Sequence, residues 1–237
     1  MSHEVKVHEA QISILRELLF VKDASFAELQ KPTGLASDHF NFHINRLVEL
    51  GFVEKVKRGR YGLSVKGKEY ANKLDTDAHT IERQPKVAVL LCIERDIDGQ
   101  RQFLFQQRTK NPYFGYWGFP SGKIRWGETI TQTGARELLE ETGLEADYRI
   151  VGLYHEHMFL EGELEATEDK MFFLVHCTNV HGKLIEKYEG GINQWMTLDE
   201  ARLLDKRYSS FETELAMITE GKQVFVEETH HYSKDEF

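Results

Sequence analysis

Four glutamates and two arginines stand between Gly122 and Gly143, at a spacing that suits cation and phosphate chemistry. On a helix advancing about 100° per residue, Glu137, Glu140 and Glu141 fall within about 100° of one another. Three carboxylates on one face repel each other and weaken a bare helix. A hard divalent cation such as Mg²⁺, which prefers oxygen ligands, relieves that repulsion. Arg136 adds a guanidinium that suits a carboxylate or a phosphate.

The helix that must carry these groups is marked at both ends. Thr129 followed by Gln132 is a helix-start signal. Gly143 is placed to end the helix on its C-terminal side. Ala135, Leu138 and Leu139 are read as pointing away from the glutamates and packing on a sheet. Ahead of the helix, residues 87–94 and 102–108 predict a hairpin around Asp96-Ile97-Asp98-Gly99. A loop follows that holds Tyr113, Phe114, Tyr116 and Trp117, which either stack a base or pack under the loop. Strands are predicted near 148–159, 171–178 and 193–196. Helices are predicted from Thr197 and over 211–218, and His230 and His231 fall in a polar tail.

The segment 122–144 resembles the Nudix box, G-x5-E-x7-R-E-U-x-E-E-x-G-U with U apolar. Gly122, Glu128, Arg136, Glu137, Leu138, Glu140, Glu141, Gly143 and Leu144 fill every specified position. Residues 85–222 are similar to the whole Nudix α/β/α sandwich with its mixed sheet. Trp117-Gly118-Phe119-Pro120 and Trp195-Met196-Thr197-Leu198-Asp199-Glu200 are supporting marks. Ser121 departs from the Pro-Gly-Gly that many members carry before the box.

The resemblance implies a Mg²⁺-dependent hydrolase, with Mn²⁺ as the alternative ion, that cleaves the pyrophosphate of a nucleoside diphosphate linked to another moiety. It implies that Glu137, Glu140 and Glu141 hold the metal, that Glu128 braces the site and that Arg136 orients a box glutamate. Gly122, Lys123 and Arg108 are candidate contacts to a nucleotide or nucleotide-derived substrate, and Arg125 is a further phosphate candidate. The general base stays open between a box glutamate and a later one, in the acidic run 161–169 or at Glu189. His155 and His157 alternate along a strand and so share a face, either lining a pocket or partly exposed.

The 237 residues leave room for one large domain or two modest ones, and charge divides them. Residues 1–80 hold 12 Lys and Arg against 11 Asp and Glu, whereas the rest hold 18 against 28. That asymmetry predicts two domains, 1–80 and 84–237, with different partners. No run of 18 apolar residues appears and no signal peptide is apparent, so no membrane partner is expected. Cys92 and Cys177 sit in apolar runs and are read as buried free thiols in a reducing cytoplasm.

In the first half, amphipathic periodicity predicts a helix through Ile14 and Leu18, and a short helix after Ser25. A third, capped by Ser37, runs to about Leu50. A hairpin turning at Arg58-Gly59 follows, then a helix over 65–74. Leu47-x-x-Leu50-Gly51-Phe52-Val53, the basic hairpin and Tyr61-Gly62-Leu63-Ser64 with Gly67 resemble the winged helix-turn-helix of bacterial and archaeal transcription regulators. That α+β fold implies double-stranded DNA as a partner and a homodimer. The third helix would offer Asn41 and Asn45, among others, to base edges. Lys55, Lys57, Arg58 and Arg60 would meet phosphates. Two readings follow: a hydrolase with an accessory winged helix, or a transcription regulator whose Nudix domain senses a nucleotide metabolite. The intact box favours hydrolysis.

Overall fold

A computed structural model describes residues 7–74 and 84–233. The chain divides into two compact units, Met1–Arg83 and Gln84–Phe237.

The first unit runs α1 (Glu9–Leu19), β1 (Ala24–Ser25), α2 (Phe26–Thr33), α3 (Ser37–Glu49), β2 (Val53–Lys57), β3 (Arg60–Leu63) and α4 (Val65–Ala71). The strands form a small antiparallel sheet in the order β1-β3-β2. Ile14, Leu15 and Leu18 of α1 lie at helical spacing and are buried with Leu29, Phe40, Ile44 and Leu47. Ser25 caps α2 through a reciprocal bond with Glu28. Ser37 does not cap α3: the N-cap is Ala36, which makes no side-chain bond, and Ser37 lies in the first turn. Gly67 lets α4 close on the sheet, since a Cβ there would stand 1.8 Å from the Phe52 carbonyl oxygen.

The second unit holds β4 (Lys86–Ile97), β5 (Gln100–Arg108), β6 (Trp117–Gly118), β7 (Ser121–Lys123), α5 (Ile130–Thr142), β8 (Leu144–Leu160) and β9 (Glu168–Gly182). It continues with β10 (Lys187–Tyr188), β11 (Gly191–Met196), α6 (Leu198–Arg202), α7 (Phe211–Glu220) and β12 (Phe225–Tyr232). The sheet is ordered β10-β11-β5-β4-β9-β8-β12, with β6 beside β5 and β7 beside β4. It is mixed, because β4–β9 and β8–β12 are parallel and the other pairings antiparallel.

Both faces of β4 are covered, which explains its unbroken apolar run. Val89, Leu91 and Ile93 pack with Leu138 of α5 on one face. Ala88, Leu90 and Cys92 pack with Phe211 and Leu215 of α7 on the other. Cys177 lies in the first cluster and Cys92 in the second, so the sheet separates two buried free thiols. No helix among the described residues is long and apolar enough to cross a membrane.

Two further expectations fail here. The polar tail is a strand: β12 pairs with β8 from Phe225↔Leu153 to Tyr232↔Leu160, and the Tyr154 hydroxyl lies 2.8 Å from His230 Nε2. Exposed and half-buried residues alternate along it, but Phe225-Val226-Glu227-Glu228-Thr229-His230-His231-Tyr232 shows no matching apolar-polar alternation, so composition alone reads as tail. On α5, Leu139 is 52% exposed, and the buried residues are Thr133, Gly134, Leu138 and Thr142. On the helical wheel that buried arc takes in Glu141 and Glu137, so packed face and carboxylate face overlap.

Glu214, on α7, is buried among other acids. Burial, with the Glu156 charge beside it, pushes its carboxyl up to about 8. A raised carboxyl stays protonated in the fold after the unfolded chain has released its proton. Folding stability from this group is therefore lost as pH rises from about 4.5 to about 8. Glu214→Gln is expected to melt near wild type at pH 5 and higher at pH 8, by a difference on the order of a few kcal/mol. Equal pH dependence in thermal melts of the two proteins would show that the carboxyl is not held neutral.

Candidate active site

The box helix starts and stops as its sequence directs. Thr129 Oγ1 accepts from the Gln132 amide at 3.2 Å, and Gln132 Oε1 accepts from the Thr129 amide at 2.9 Å. Gly143 takes φ 71° at the C-terminal end, a left-handed conformation that glycine adopts freely. β7 lies beside β4 and faces this helix, with Gly122 paired to Val89. A Cβ on Gly122 would stand 1.9 Å from Glu137 Cδ, so the missing side chain is the space the carboxyl occupies.

Arg136 is the hub. It donates from Nε to Glu128 Oε1 at 2.7 Å and from Nη2 to Glu128 Oε2 at 2.8 Å, a bidentate pair. Its Nη1 donates to Glu137 Oε1 at 2.6 Å and to Glu140 Oε2 at 3.3 Å, and Nη2 reaches the Lys123 carbonyl at 3.1 Å. Glu128 also accepts from Thr133 Oγ1 at 2.9 Å and from the Arg125 amide at 3.1 Å. The Arg136 guanidinium, helped by those donors, holds the Glu128 carboxyl down at about 2. Glu128 is thus tied into the loop and the helix by its own hydrogen bonds.

The three remaining glutamates differ in setting. Glu140 is half-exposed and also meets Arg125 Nη2 at 3.2 Å. Glu137 is turned toward Arg136. Glu141 faces inward, taking one bond from Gln106 Nε2 at 3.0 Å and another from Tyr188. Burial and the Glu137 charge still push its carboxyl above the usual range. Glu141 is a half-buried carboxylate whose charge Lys110 only partly offsets, and an oxygen-seeking cation would supply the rest. Glu137 and Glu140 share Arg136 Nη1 while Glu141 rests on Gln106, and the set is oxygen-only. That chemistry fits Mg²⁺ or Mn²⁺ better than a softer ion.

Sequence reasoning missed the groups behind Glu141. Asn193, on β11, is buried and donates from Nδ2 to the carbonyls of Glu141 and Ile185, both at 2.8 Å. Its Oδ1 accepts from Gln106 Nε2 at 3.2 Å. The available signal was polarity in a short strand ending in Trp195-Met196: a buried amide needs partners, and these partners are the helix end and Gln106.

Other candidates land differently. Arg108 donates to the Pro112 carbonyl at 2.6 Å and the Asn111 carbonyl at 3.3 Å, so it holds the following loop. Lys123 contributes its carbonyl to Arg136 while its side chain lies on an exposed residue. Tyr113 is buried beside Met158, Tyr232, Tyr116 and Tyr208, and Trp117 packs against the core, so the aromatic loop is chiefly packing. Phe114 alone of the four is strongly exposed, at 60%. Residues 161–165 are exposed, as is Glu189.

In the first unit, Asn41 is exposed on α3 and accepts from Asn45 Nδ2 at 3.2 Å. Lys55, Lys57 and Arg58 are exposed on the β2–β3 hairpin. Arg60 is not free for phosphate: its Nε donates to Asp23 Oδ1, its Nη2 donates to the Asp23 carbonyl at 2.8 Å, and Nη1 lies 3.6 Å from Glu28. Counting cations in a hairpin cannot tell a free guanidinium from one that closes a fold.

Residues 83–215 match the family model described as NUDIX domain. An ADP-ribose pyrophosphatase of Methanocaldococcus jannaschii is 34% identical over 88 residues, covering 35% of this chain and 50% of that protein. The chain thus spans about half the length of this curated relative. The NUDIX domain of Shewanella oneidensis NrtR, solved with ADP ribose, superposes with a TM-score of 0.51 at 18% identity. The match covers 64% of this chain and 96% of that one, a likeness of fold. A MutT protein from Bacillus halodurans aligns at 25% identity and a TM-score of 0.48, over 64% of this chain and 93% of its own.

Gly122→Ala tests the packing of Glu137. The obstacle is the end of a flexible side chain, so the variant is expected to fold, with the Glu137 carboxyl displaced. Cation-dependent turnover should fall about 10²-fold, the cost of a misplacement near 1 Å. Turnover equal to wild type, in a variant with an unchanged circular dichroism spectrum, would show that the position of Glu137 is not used.

Proposed function

The chain belongs to the NUDIX domain family, and from that premise we propose that it is a divalent-cation-dependent pyrophosphohydrolase. Its substrate is a nucleoside diphosphate joined to a second moiety. The observation that carries this reading is the pairing of a half-buried, under-neutralised Glu141 with Glu137 and Glu140 on one side of α5, around the Arg136 clamp. The curated ADP-ribose pyrophosphatase relative makes ADP-ribose the first substrate to test.

Glu137, Glu140 and Glu141 would hold Mg²⁺, with Mn²⁺ the alternative. Such an ion neutralises pyrophosphate oxygens and lowers the pKa of a bound water. The chain's own groups prepare the site. Arg136 draws Glu128 and Glu137 together and fixes the loop through the Lys123 carbonyl. Gln106 and Tyr188 hold the Glu141 carboxylate, and Asn193 holds the backbone from which Glu141 projects. Ready-made donors of this kind cost no reorganisation when substrate arrives.

A panel of ADP-ribose, NADH, nucleoside triphosphates, dinucleoside polyphosphates and nucleotide sugars, assayed with Mg²⁺, tests the proposal. At least one is expected to release a nucleoside phosphate, and Glu141→Gln should lose that release while keeping its fold. Wild-type protein that cleaves none of them would sink the enzyme reading.

The exposed hairpin supports a second element of the proposal. The first unit is read as a winged helix-turn-helix, presented by a homodimer, that places α3 in the major groove of double-stranded DNA and sets Lys55, Lys57 and Arg58 on phosphates. The chain would then also act as a regulator that responds to its nucleotide ligand. Lys57→Ala with Arg58→Ala is expected to weaken binding to the protein's own promoter DNA and to reduce the salt slope by about 2. An unchanged slope would remove the hairpin from DNA recognition.

A further inference from the structure

A second group of ligating side chains lies outside the box. His155 and His157 project from the same face of β8, two residues apart. Asp169 of β9 is directly across from His157, and Glu227 of β12 is directly across from His155. One ligand atom from each of His155, His157 and Asp169 lies within 4.8 Å of the other two. The box glutamates do not form such a group among the described residues.

We infer that His155, His157 and Asp169 bind a divalent transition-metal ion of the zinc class, separately from the cation held by the box. The donor set distinguishes the two ions. Imidazole suits zinc and its neighbours in the first transition row, whereas the oxygen-only set on α5 suits magnesium. Two imidazoles and one carboxylate make three protein ligands, which leaves a fourth position for water.

The atoms are already arranged for this. His155 Nε2 lies 2.8 Å from Asp169 Oδ1, and His157 Nε2 lies 3.9 Å from Asp169 Oδ2. Ligands of a tetrahedral zinc stand about 3.4 Å apart when their bonds are about 2.0–2.1 Å, so small side-chain rotations complete the site. The other nitrogen of His155, Nδ1, meets Glu227 Oε2 at 2.7 Å. A carboxylate behind a ligating imidazole fixes its ring and tautomer and raises its basicity, and that arrangement stands here before any metal arrives. Side-chain exposures of 15%, 27% and 38% for His155, His157 and Asp169 leave the site reachable from solvent. An ion bound there would bridge β8 to β9 and engage β12 through Glu227.

The test is a Co²⁺ titration of the full-length, untagged, chelator-stripped protein in excess Mg²⁺, read by visible absorption and displaced with Zn²⁺. One equivalent per chain is expected, with the intense bands of four-coordinate cobalt. His157→Ala and Asp169→Asn should each abolish those bands, and Glu227→Gln should weaken affinity about 10–100-fold. Glu141→Gln should leave the titration unchanged. Saturating Zn²⁺ should raise the melting temperature of wild type and not of His157→Ala. Absence of a stoichiometric site, bands that persist in a His155→Ala, His157→Ala double variant, or bands lost in Glu141→Gln would each overturn the inference. Should the ligand variants fail to fold, unchanged affinity in Glu227→Gln overturns it as well.

Discussion

One guanidinium organises the second unit's chemistry. Arg136 satisfies Glu128 in bidentate fashion while also reaching Glu137, Glu140 and the Lys123 carbonyl, so loop and helix are joined at a single charged point. Without it, four carboxylates would gather around one helix with little but Arg125, hydroxyl and amide donors to offset their repulsion. The clamp also sorts them. Glu128 is held fully ionised by its donors, whereas Glu141, farther in and away from Arg136, keeps a deficit of positive charge. That contrast between a loop carboxylate and one on the helix supports the proposed cation position.

The sheet makes the contrast possible. Because the packed arc of α5 overlaps its acidic arc, Glu141 cannot escape to solvent as a carboxylate on an outward face would. It rests against β5 and β11 through Gln106 and the Asn193 network. The burial that stabilises the helix therefore also strains the electrostatics of its most inward acid. The Gly122 void serves the same end on the other side, admitting Glu137 where any side chain would refuse it.

Much of this was legible in the residues, and what was not has physical reasons. The capping pair Thr129 and Gln132, the stop at Gly143 and the doubly buried β4 all follow from local chemistry that sequence displays directly. Leu139 misled because apolar character says nothing about which arc of a helix meets the sheet. Arg60 misled because its partner, Asp23, lies 37 residues earlier in the chain. Asn193 and Gln106 were silent for the same reason: their roles exist only once β5, β11 and the end of α5 meet. β12 escaped notice because half of its residues face water and its neighbour in the sheet is 72 residues away.

That last strand bears on how the unit survives in solution. The family match ends at residue 215, whereas β8 runs from Leu144 to Leu160 and is paired along half of its far side by Phe225–Tyr232. A chain trimmed to the family boundary would leave β8 with an open row of amides and carbonyls, a template for sticking to its own kind. The outer edge that β12 provides instead carries exposed Glu227, Thr229 and His231, polar groups that discourage such pairing. The residues past the family boundary are in this respect a guard against aggregation.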